Sequence, residues 1–262
     1  MGHYEILHEY GDELERRIRL RTFPLAVKLL ESEAGIPEGT ERPLKDLGYP
    51  IALCQGYALS RREGKSLAMF KEDMWCFEPV VGYGWEEAPQ YFLDGHNRFP
   101  EDVKNLAAGK SYASDFPRLE AGKYCGVVSA PLAATNFEPD LVMIYCESAQ
   151  LSLLLLAREY QDGHDLPCHL SSHAACVYSV VPAIQNGACQ VAIPCRGDRY
   201  VGLAGDDELI FTVPTQRLQE LLVGLRHVAE YGSKFPRNPH MNFEPLLKES
   251  YEKIAKMLKM GV

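Results

Sequence analysis

Two neighbouring stretches, residues 172–178 (SHAACVY) and residues 186–199 (NGACQVAIPCRGDR), predict the unit from which this fold is built. The apolar and small residues of the first stretch indicate a helix that carries Cys176. Gly187 then breaks the helix, and the apolar run after it indicates a short strand that leads to Cys195. The unit is therefore a cysteine helix followed by a strand and a second cysteine.

The same order occurs earlier in the chain. Cys54 begins a helix-like run, Gly64 breaks it, and the apolar residues 66–70 lead towards Cys76. Two similar units are therefore predicted, and each contributes two cysteines. Our hypothesis is that the units face each other and bring four thiolates to one place.

The remaining periodicity extends this order over the whole chain. Further strands are predicted at residues 24–30, 124–131, 140–146 and 207–214, and further helices at residues 4–20, 101–108, 150–160, 216–231 and 245–259. Each half then contains matching elements in the same order, which we interpret as an internal duplication. The expected fold class is α/β or α+β, with mixed sheets covered by helices. The expected half-domains are residues 1–131 and 132–262, which together form one compact unit.

Composition and charge limit the class of protein. The chain has 262 residues and a net charge of -9, with its basic residues scattered, which argues against a nucleic-acid partner. Its apolar runs are too short to span a membrane, and its first residues lack the pattern of a signal peptide. We therefore expect a cytoplasmic protein without a membrane partner, and a homo-oligomer stays open.

Eight cysteines need an explanation in a reducing compartment, where disulfides are rare. No CxxC pair occurs, which excludes zinc-ribbon and thioredoxin-like spacings. Cys54, Cys76, Cys176 and Cys195, two from each unit, would supply the four thiolates that a [4Fe-4S] cluster needs. The alternative is that they are small buried hydrophobes, as free cysteines commonly are.

Several segments resemble the DUF169 family, also called ArCR, of uncharacterised bacterial and archaeal proteins. The similarity covers residues 14 to 225 approximately, and the matching segments are PLAVK at residues 24–28, LCQ at 53–55, MWC at 74–76, PDLV at 139–142 and CRGDRYVGL at 195–203. The resemblance implies that the cysteines form two sets. The family set is Cys54, Cys76, Cys176 and Cys195, and the set particular to this chain is Cys125, Cys146, Cys168 and Cys189. The chain departs from the family after Cys76, where FEP replaces a Pro-Gly-Gly-like turn. With the resemblance, a cluster is favoured over buried thiols.

Arg196 and Arg199 flank the last cysteine of the family set, with Gly197 between them. A glycine there lets backbone amides approach a sulfur atom or an anion. The two arginines would neutralise the charge of a cluster or bind a carboxylate substrate, which makes them the candidate catalytic residues. The alternative is a turn with two solvated arginines.

His169, His173 and Cys176 form a competing candidate site. If residues 169–178 are helical, these side chains fall at i, i+4 and i+7 on one face, which suits zinc. The alternative is a partly solvated helix start that is rich in histidine. Because Cys176 cannot serve both sites, the zinc and cluster hypotheses exclude each other.

Three hypotheses of function follow. The favoured one is an iron-sulfur protein with redox or Lewis-acid chemistry on a small anionic or aromatic substrate. The alternatives are a metal-free module that binds a small molecule and a zinc-dependent enzyme that uses His169, His173 and Cys176. No P-loop, GxGxxG, GxSxG or HExxH motif occurs, so whether the chain is an enzyme stays open.

Overall fold

Six strands form one sheet in the structure, a computed structural model that describes residues 4–235 and 248–260. The strands are β1 Leu25–Leu30, β2 Leu67–Phe70, β3 Gly126–Pro131, β4 Leu141–Glu147, β5 Gln190–Ala192 and β6 Glu208–Pro214. Their order is β2-β3-β1-β4-β6-β5, and all five strand pairings are antiparallel. The α+β class is thus confirmed. The expected mixed sheets are not found in the described residues, because each strand pairs only with antiparallel neighbours. Strand β3 lies between β1 and β2, and β6 lies between β4 and β5.

Helices cover both faces of this sheet. The α-helices are α1 Glu5–Ile18, α2 Leu53–Glu63, α3 Glu78–Gly82, α4 Gln90–Leu93, α5 Leu106–Asp115, α6 Ser148–Glu159, α7 Ala175–Asn186, α8 Arg196–Tyr200, α9 Thr215–Glu230 and α10 Glu249–Met257. Helices α2 and α7 contact the sheet in one core, whereas α1, α6 and α9 share the other. Within the described residues, none of these helices has the length and apolar character needed to cross a membrane.

Alternation along the strands separates the two cores. In β4, Met143 and Tyr145 point into the core under α2 and α7, whereas Val142 and Ile144 point into the core under α6 and α9. We call these sides the α2–α7 face and the α6–α9 face. All four side chains are buried, so the centre of the sheet is covered on both faces.

The two halves of the chain build the two halves of the sheet. From the centre outwards, the order is β1, β3, β2 on one side and β4, β6, β5 on the other. Gly64 ends α2 at a φ of 76° and Gly187 ends α7 at a φ of 58°, as the breaks in both units predicted. The expected boundary near residue 131 falls between β3 and β4. The half-domains themselves stay an interpretation of this pattern.

The close approach of α6 and α9 requires a glycine. A Cβ atom on Gly224 would lie 2.0 Å from the carbonyl oxygen of Ala157, far inside contact distance. The absence of a side chain at this position lets the two helices pack tightly over the α6–α9 face. Their apolar sides supply Leu154 and Leu222, both fully buried.

Most predicted helices are found within a few residues of their expected bounds, but one was wrong. The helix expected at residues 101–108 is instead α5, Leu106–Asp115. The side chain of Asn105 accepts a hydrogen bond from the Ala108 amide at 2.9 Å and so begins the helix later. The final helix is α10, and residues 245–247 of its predicted range lie outside the described residues.

Candidate functional site

A cavity of about 740 Å³ lies on the α2–α7 face. Its lining includes all four cysteines that the sequence analysis proposed as ligands: Cys54, Cys76, Cys176 and Cys195. These residues come from four separate segments, so only the tertiary fold unites them. The cavity is much larger than a single metal ion and lies within the size range of small-molecule sites, about 300–1,000 Å³.

Equivalent positions in the two halves supply these cysteines. Cys54 and Cys176 are each the second residue of their helix. Cys195 is the N-cap of α8, and Cys76 lies two residues before α3 begins. Helix α3 from the first half packs on α7 from the second, and α8 packs on α2. The halves therefore interlock around the cavity.

The four thiols interact electrostatically with one another in all pairings. Burial raises the pKa of Cys76 to about 11, and the repulsion between the thiols adds to this rise. Burial also raises the pKa of Cys54 and of Cys176 well above the usual range of a thiol. Cys54, Cys76 and Cys176 are therefore neutral at physiological pH. A bound metal would have to hold them as thiolates, with release of protons.

The N-termini of α2 and α7 favour negative charge in the cavity. The backbone amide of Leu53 donates a hydrogen bond to Sγ of Cys76 at 3.4 Å. Ala52 and Ala174, the N-cap residues of the two helices, line the cavity and have no side-chain oxygen that could accept from the first-turn amides. The positive ends of both helix dipoles therefore lie close to the sulfur atoms.

A left-handed residue and two buried tyrosines define the start of α7. Ala174 has a φ of 47°, which is costly for a residue with a Cβ atom. The Tyr83 hydroxyl donates a hydrogen bond to the carbonyl oxygen of Cys176 at 2.8 Å, and the Tyr57 hydroxyl lies 3.0 Å from that of Tyr83. These contacts hold the helix turn that carries Cys176.

The thiols surround the cavity and do not converge on one point. In the described residues, no group of three or more His, Cys, Asp or Glu side chains is arranged to hold a single metal ion. A [4Fe-4S] cluster makes a different demand, because each of its four cysteine ligands binds a different iron atom, so the ligands stand around the cluster and not around one point. Four cysteines around one cavity therefore fit the cluster better than a single ion.

The geometry assumed for the zinc hypothesis was wrong. Helix α7 begins at Ala175, so His169 and His173 precede it and share no helical face with Cys176. The left-handed φ of Ala174 prevents the right-handed helix from extending back through His173. His173 lines the cavity beside Cys176, whereas the carbonyl of His169 accepts a hydrogen bond from Gln190.

Arg196 and Arg199 both line the cavity, next to Cys195. Arg199 donates a hydrogen bond to the carbonyl of Gly205 at 2.5 Å, which fixes its side chain. Arg196 is exposed, with its guanidinium 5.5 Å from the ring centre of Tyr200. The two predicted arginines thus add positive charge to one side of the cavity.

Comparison with known proteins places the chain in a family. The model of DUF169, described as uncharacterised ArCR, matches residues 13–224. The chain belongs to the DUF169 family. No curated protein and no solved structure matches it. The DUF169 description names no activity, so any function has to be argued from the cavity.

Two residues of the DUF169 cavity were not predicted from the sequence. Arg98 lines the cavity and is 9% exposed, with hydrogen bonds to Asp102 at 3.1 Å and to the Tyr112 hydroxyl at 2.8 Å. Its buried Nε atom has no hydrogen-bond partner in the described part of the chain. Glu78 lies 3.8 Å from Arg98 and also lines the cavity. These residues carry no local motif, although an arginine within an aromatic segment was a signal that could have been noted.

Buried charges lie close to the cavity on the same face. Arg61 is fully buried, 3.5 Å from Glu208, with its guanidinium 4.0 Å from the ring centre of Tyr145. The Tyr145 hydroxyl donates a hydrogen bond to Asp198 at 3.0 Å. Burial raises the pKa of Asp198 to about 6, and the Asp198 carboxyl group interacts electrostatically with Cys54. A group of buried polar and charged side chains therefore lies next to the cysteine site.

Proposed function

We propose that this DUF169 protein binds a [4Fe-4S] cluster through Cys54, Cys76, Cys176 and Cys195. The observation that carries the proposal is the meeting of these four cysteines, two from each half, around one cavity. A buried thiol packs as a small hydrophobe anywhere in an apolar core, so packing alone gives no reason for cysteines from four separate segments to meet at one cavity.

The surroundings of the thiols support an anionic group. A cluster held by four thiolates carries net negative charge, which amides and helix N-termini stabilise. The Leu53 amide already donates to Cys76, and both cysteine helices direct their N-termini at the cavity. Hydrogen bonds to sulfur also set the reduction potential of a cluster.

The residues of the chain have separate tasks in this proposal. The four cysteines hold the cluster, which when bound would transfer single electrons. If one of the four stayed unbound, the iron opposite it would be open and would supply a Lewis acid. Arg196 and Arg199 bind an anionic group of a substrate by charge-assisted hydrogen bonds. His173 lines the cavity as a neutral group at physiological pH, because burial lowers the pKa of its imidazole.

Anaerobic purification tests this function directly. We expect a brown protein with a broad visible absorption band. Iron and acid-labile sulfide should be present in equal molar amounts, as in a [4Fe-4S] cluster. Chemical reconstitution with iron and sulfide in the absence of oxygen should reach the same content. A colourless protein without iron after reconstitution would refute the proposal.

A metal-free module that binds a small molecule is the second candidate. It is favoured by the raised pKa of the buried thiols, which are stable as neutral groups without any metal. The cavity also has the volume of a small-molecule site. Reconstitution decides between the two candidates, because a module of this kind would stay colourless and folded throughout.

A further inference from the structure

Two groups of charged residues, of opposite sign and from different segments, line the cavity. One group contains Glu78, Glu101 and Asp102, and we call it the acidic wall. The other contains Arg196 and Arg199, and we call it the basic wall. A cavity that attracted a simple anion or a simple cation would be expected to carry one sign of charge.

The charge difference breaks the symmetry of the two halves. Glu78 is the first residue of α3, and Arg196 is the first residue of α8. These helices follow equivalent strands and equivalent cysteines, and each packs on the cysteine helix of the opposite half. The halves therefore keep their cysteines in equivalent places but place a carboxylate on one side and a guanidinium on the other.

Local pairing does not cancel these charges. Within the acidic wall, Arg98 is 3.1 Å from Asp102 and 3.8 Å from Glu78, so one guanidinium pairs with two of the three carboxylates. Asp206 lies 3.8 Å from Arg199 but is fully exposed and outside the cavity lining. The acidic wall keeps a surplus of negative charge, and the basic wall keeps a surplus of positive charge.

One further group favours a polar ligand at the acidic wall. His173 lines the cavity, with its ring against that of Tyr112. Burial, and then the charge of Arg98, lower the pKa of His173, so it offers a neutral hydrogen-bonding group. A ligand there gains hydrogen bonds as well as charge contacts.

We propose that the cavity binds a zwitterionic small molecule, with its cationic end at the acidic wall and its anionic end at the basic wall. This inference rests on the proposed function for the position of the ligand, which lies beside the cluster. A ligand with only an anionic group would be attracted by the arginines and repelled by the carboxylates. A ligand with only a cationic group would be attracted by the carboxylates and repelled by the arginines. Only opposite charges at the two ends satisfy both walls.

Calorimetric titration of the anaerobically purified protein tests this inference. The probes are linear ω-amino acids of increasing length, from β-alanine to 6-aminohexanoate. Each is compared with the carboxylate that lacks its amino group and with the amine that lacks its carboxylate. We expect one chain length to bind about tenfold or more tightly than both of its single-charge counterparts, a difference of about 1.4 kcal/mol.

Variants assign each end of the ligand to a wall. Glu78→Gln should remove the advantage of the zwitterion over the matching carboxylate, and Arg199→Gln should remove its advantage over the matching amine. Glu86→Gln and Arg62→Gln are matched controls outside the cavity lining, and both should bind as the unmodified chain does. If no zwitterion binds more tightly than both counterparts, the inference is wrong.

Iron and sulfide assays on the same samples separate the two proposals. A protein that contains the cluster but shows no preference for zwitterions would refute the inference alone. A protein that binds zwitterions selectively but takes up no iron would refute the proposed function. The cavity would then be a binding site for zwitterions that does not depend on a cluster. Each result decides one question without the other.

Discussion

The cysteines on the two faces of the sheet have different surroundings. On the α6–α9 face, Cys146 and Cys189 are buried among apolar side chains, and Cys125 and Cys168 pack at the edge of the same core. On the α2–α7 face, the other four cysteines surround a cavity and lie close to helix N-termini. The division follows the two cysteine sets that the resemblance to DUF169 implies.

This difference shows that burial alone does not identify a functional thiol. Burial raises the pKa of Cys146 to about 12, as it raises the pKa of Cys54, Cys76 and Cys176 in the cavity. The surroundings of the thiols differ between the faces. Apolar side chains surround the cysteines of the α6–α9 face, whereas backbone amides, charged side chains and an open cavity lie beside those of the α2–α7 face. The predictions that follow test whether this comparison between faces holds.

The largest expected effect comes from replacing cysteines one at a time. Cys54→Ser, Cys76→Ser, Cys176→Ser and Cys195→Ser should each lose most of the bound iron, since a serine hydroxyl is a poor ligand for iron-sulfur clusters. Cys125→Ser and Cys168→Ser, which are also partly buried, are the matched controls and should keep it. Iron content and the visible spectrum measure the result. Equal iron loss on both faces would contradict the comparison.

The second largest effect concerns a buried charge on the α2–α7 face. Arg61→Leu leaves Glu208 buried without its cation, and we expect a loss of about 3–5 kcal/mol in the free energy of unfolding. Urea denaturation measures this loss. The neighbouring Arg62→Leu, on an exposed side chain, should change it by less than about 0.5 kcal/mol.

A double variant checks the cause of that loss. Arg61→Leu combined with Glu208→Leu removes both charges and should be more stable than Arg61→Leu alone. If the double variant is less stable than either single variant, packing is the main contribution of these residues and the ion pair is not.

A smaller effect is expected from the packing of the α6–α9 face. Gly224→Ala places a methyl group against the carbonyl oxygen of Ala157 and should force α6 and α9 apart, at a cost of about 1–3 kcal/mol. The exposed Val223→Ala is the control. Thermal unfolding measures the change. Iron content should not change, because the cavity lies on the other face.

The smallest effect is a pH dependence on the α6–α9 face. Hydrogen bonds and charge from Arg226 and Arg17 lower the pKa of Glu13 from 4.5 to about 2. The stabilisation from this carboxylate is complete above pH 4.5 and is lost as the pH falls towards 2. Because both arginines are partly exposed, Glu13→Gln should cost about 1 kcal/mol at neutral pH.

Acid titration of unfolding measures that last effect. The Glu13→Gln protein should lose less stability between pH 4.5 and 2 than the unmodified chain does. Glu9→Gln, on the same helix and exposed, is the control. Parallel stability curves for the unmodified chain and Glu13→Gln would show that the ion pair contributes nothing.

Much of the fold could be predicted because its signals are local. The glycines at 64 and 187 end their helices in a left-handed conformation, which a glycine adopts without steric cost. The order of strands and helices in each half follows from apolar periodicity. The helix at residues 101–108 was misplaced because the cap at Asn105, rather than periodicity, sets where α5 begins.

The candidate site was predictable only in part. The four cysteines carried a family pattern, and the structure brings them to one cavity. The histidines also suggested a pattern, but the backbone of Ala174 places them outside the helix. Arg98 and Glu78 gave no spacing to read, since their neighbours in the cavity come from distant segments.

The sequence by itself determined the succession of the strands and of most longer helices, the breaks after the two cysteine helices and the two pairs of cysteines, because these depend on residues close together in the chain. The tertiary structure decided which strand lies beside which, on which face each cysteine falls and which charges share the cavity. Those features depend on contacts across the whole chain, where the packing of α3 on α7 and of α8 on α2 joins the two halves.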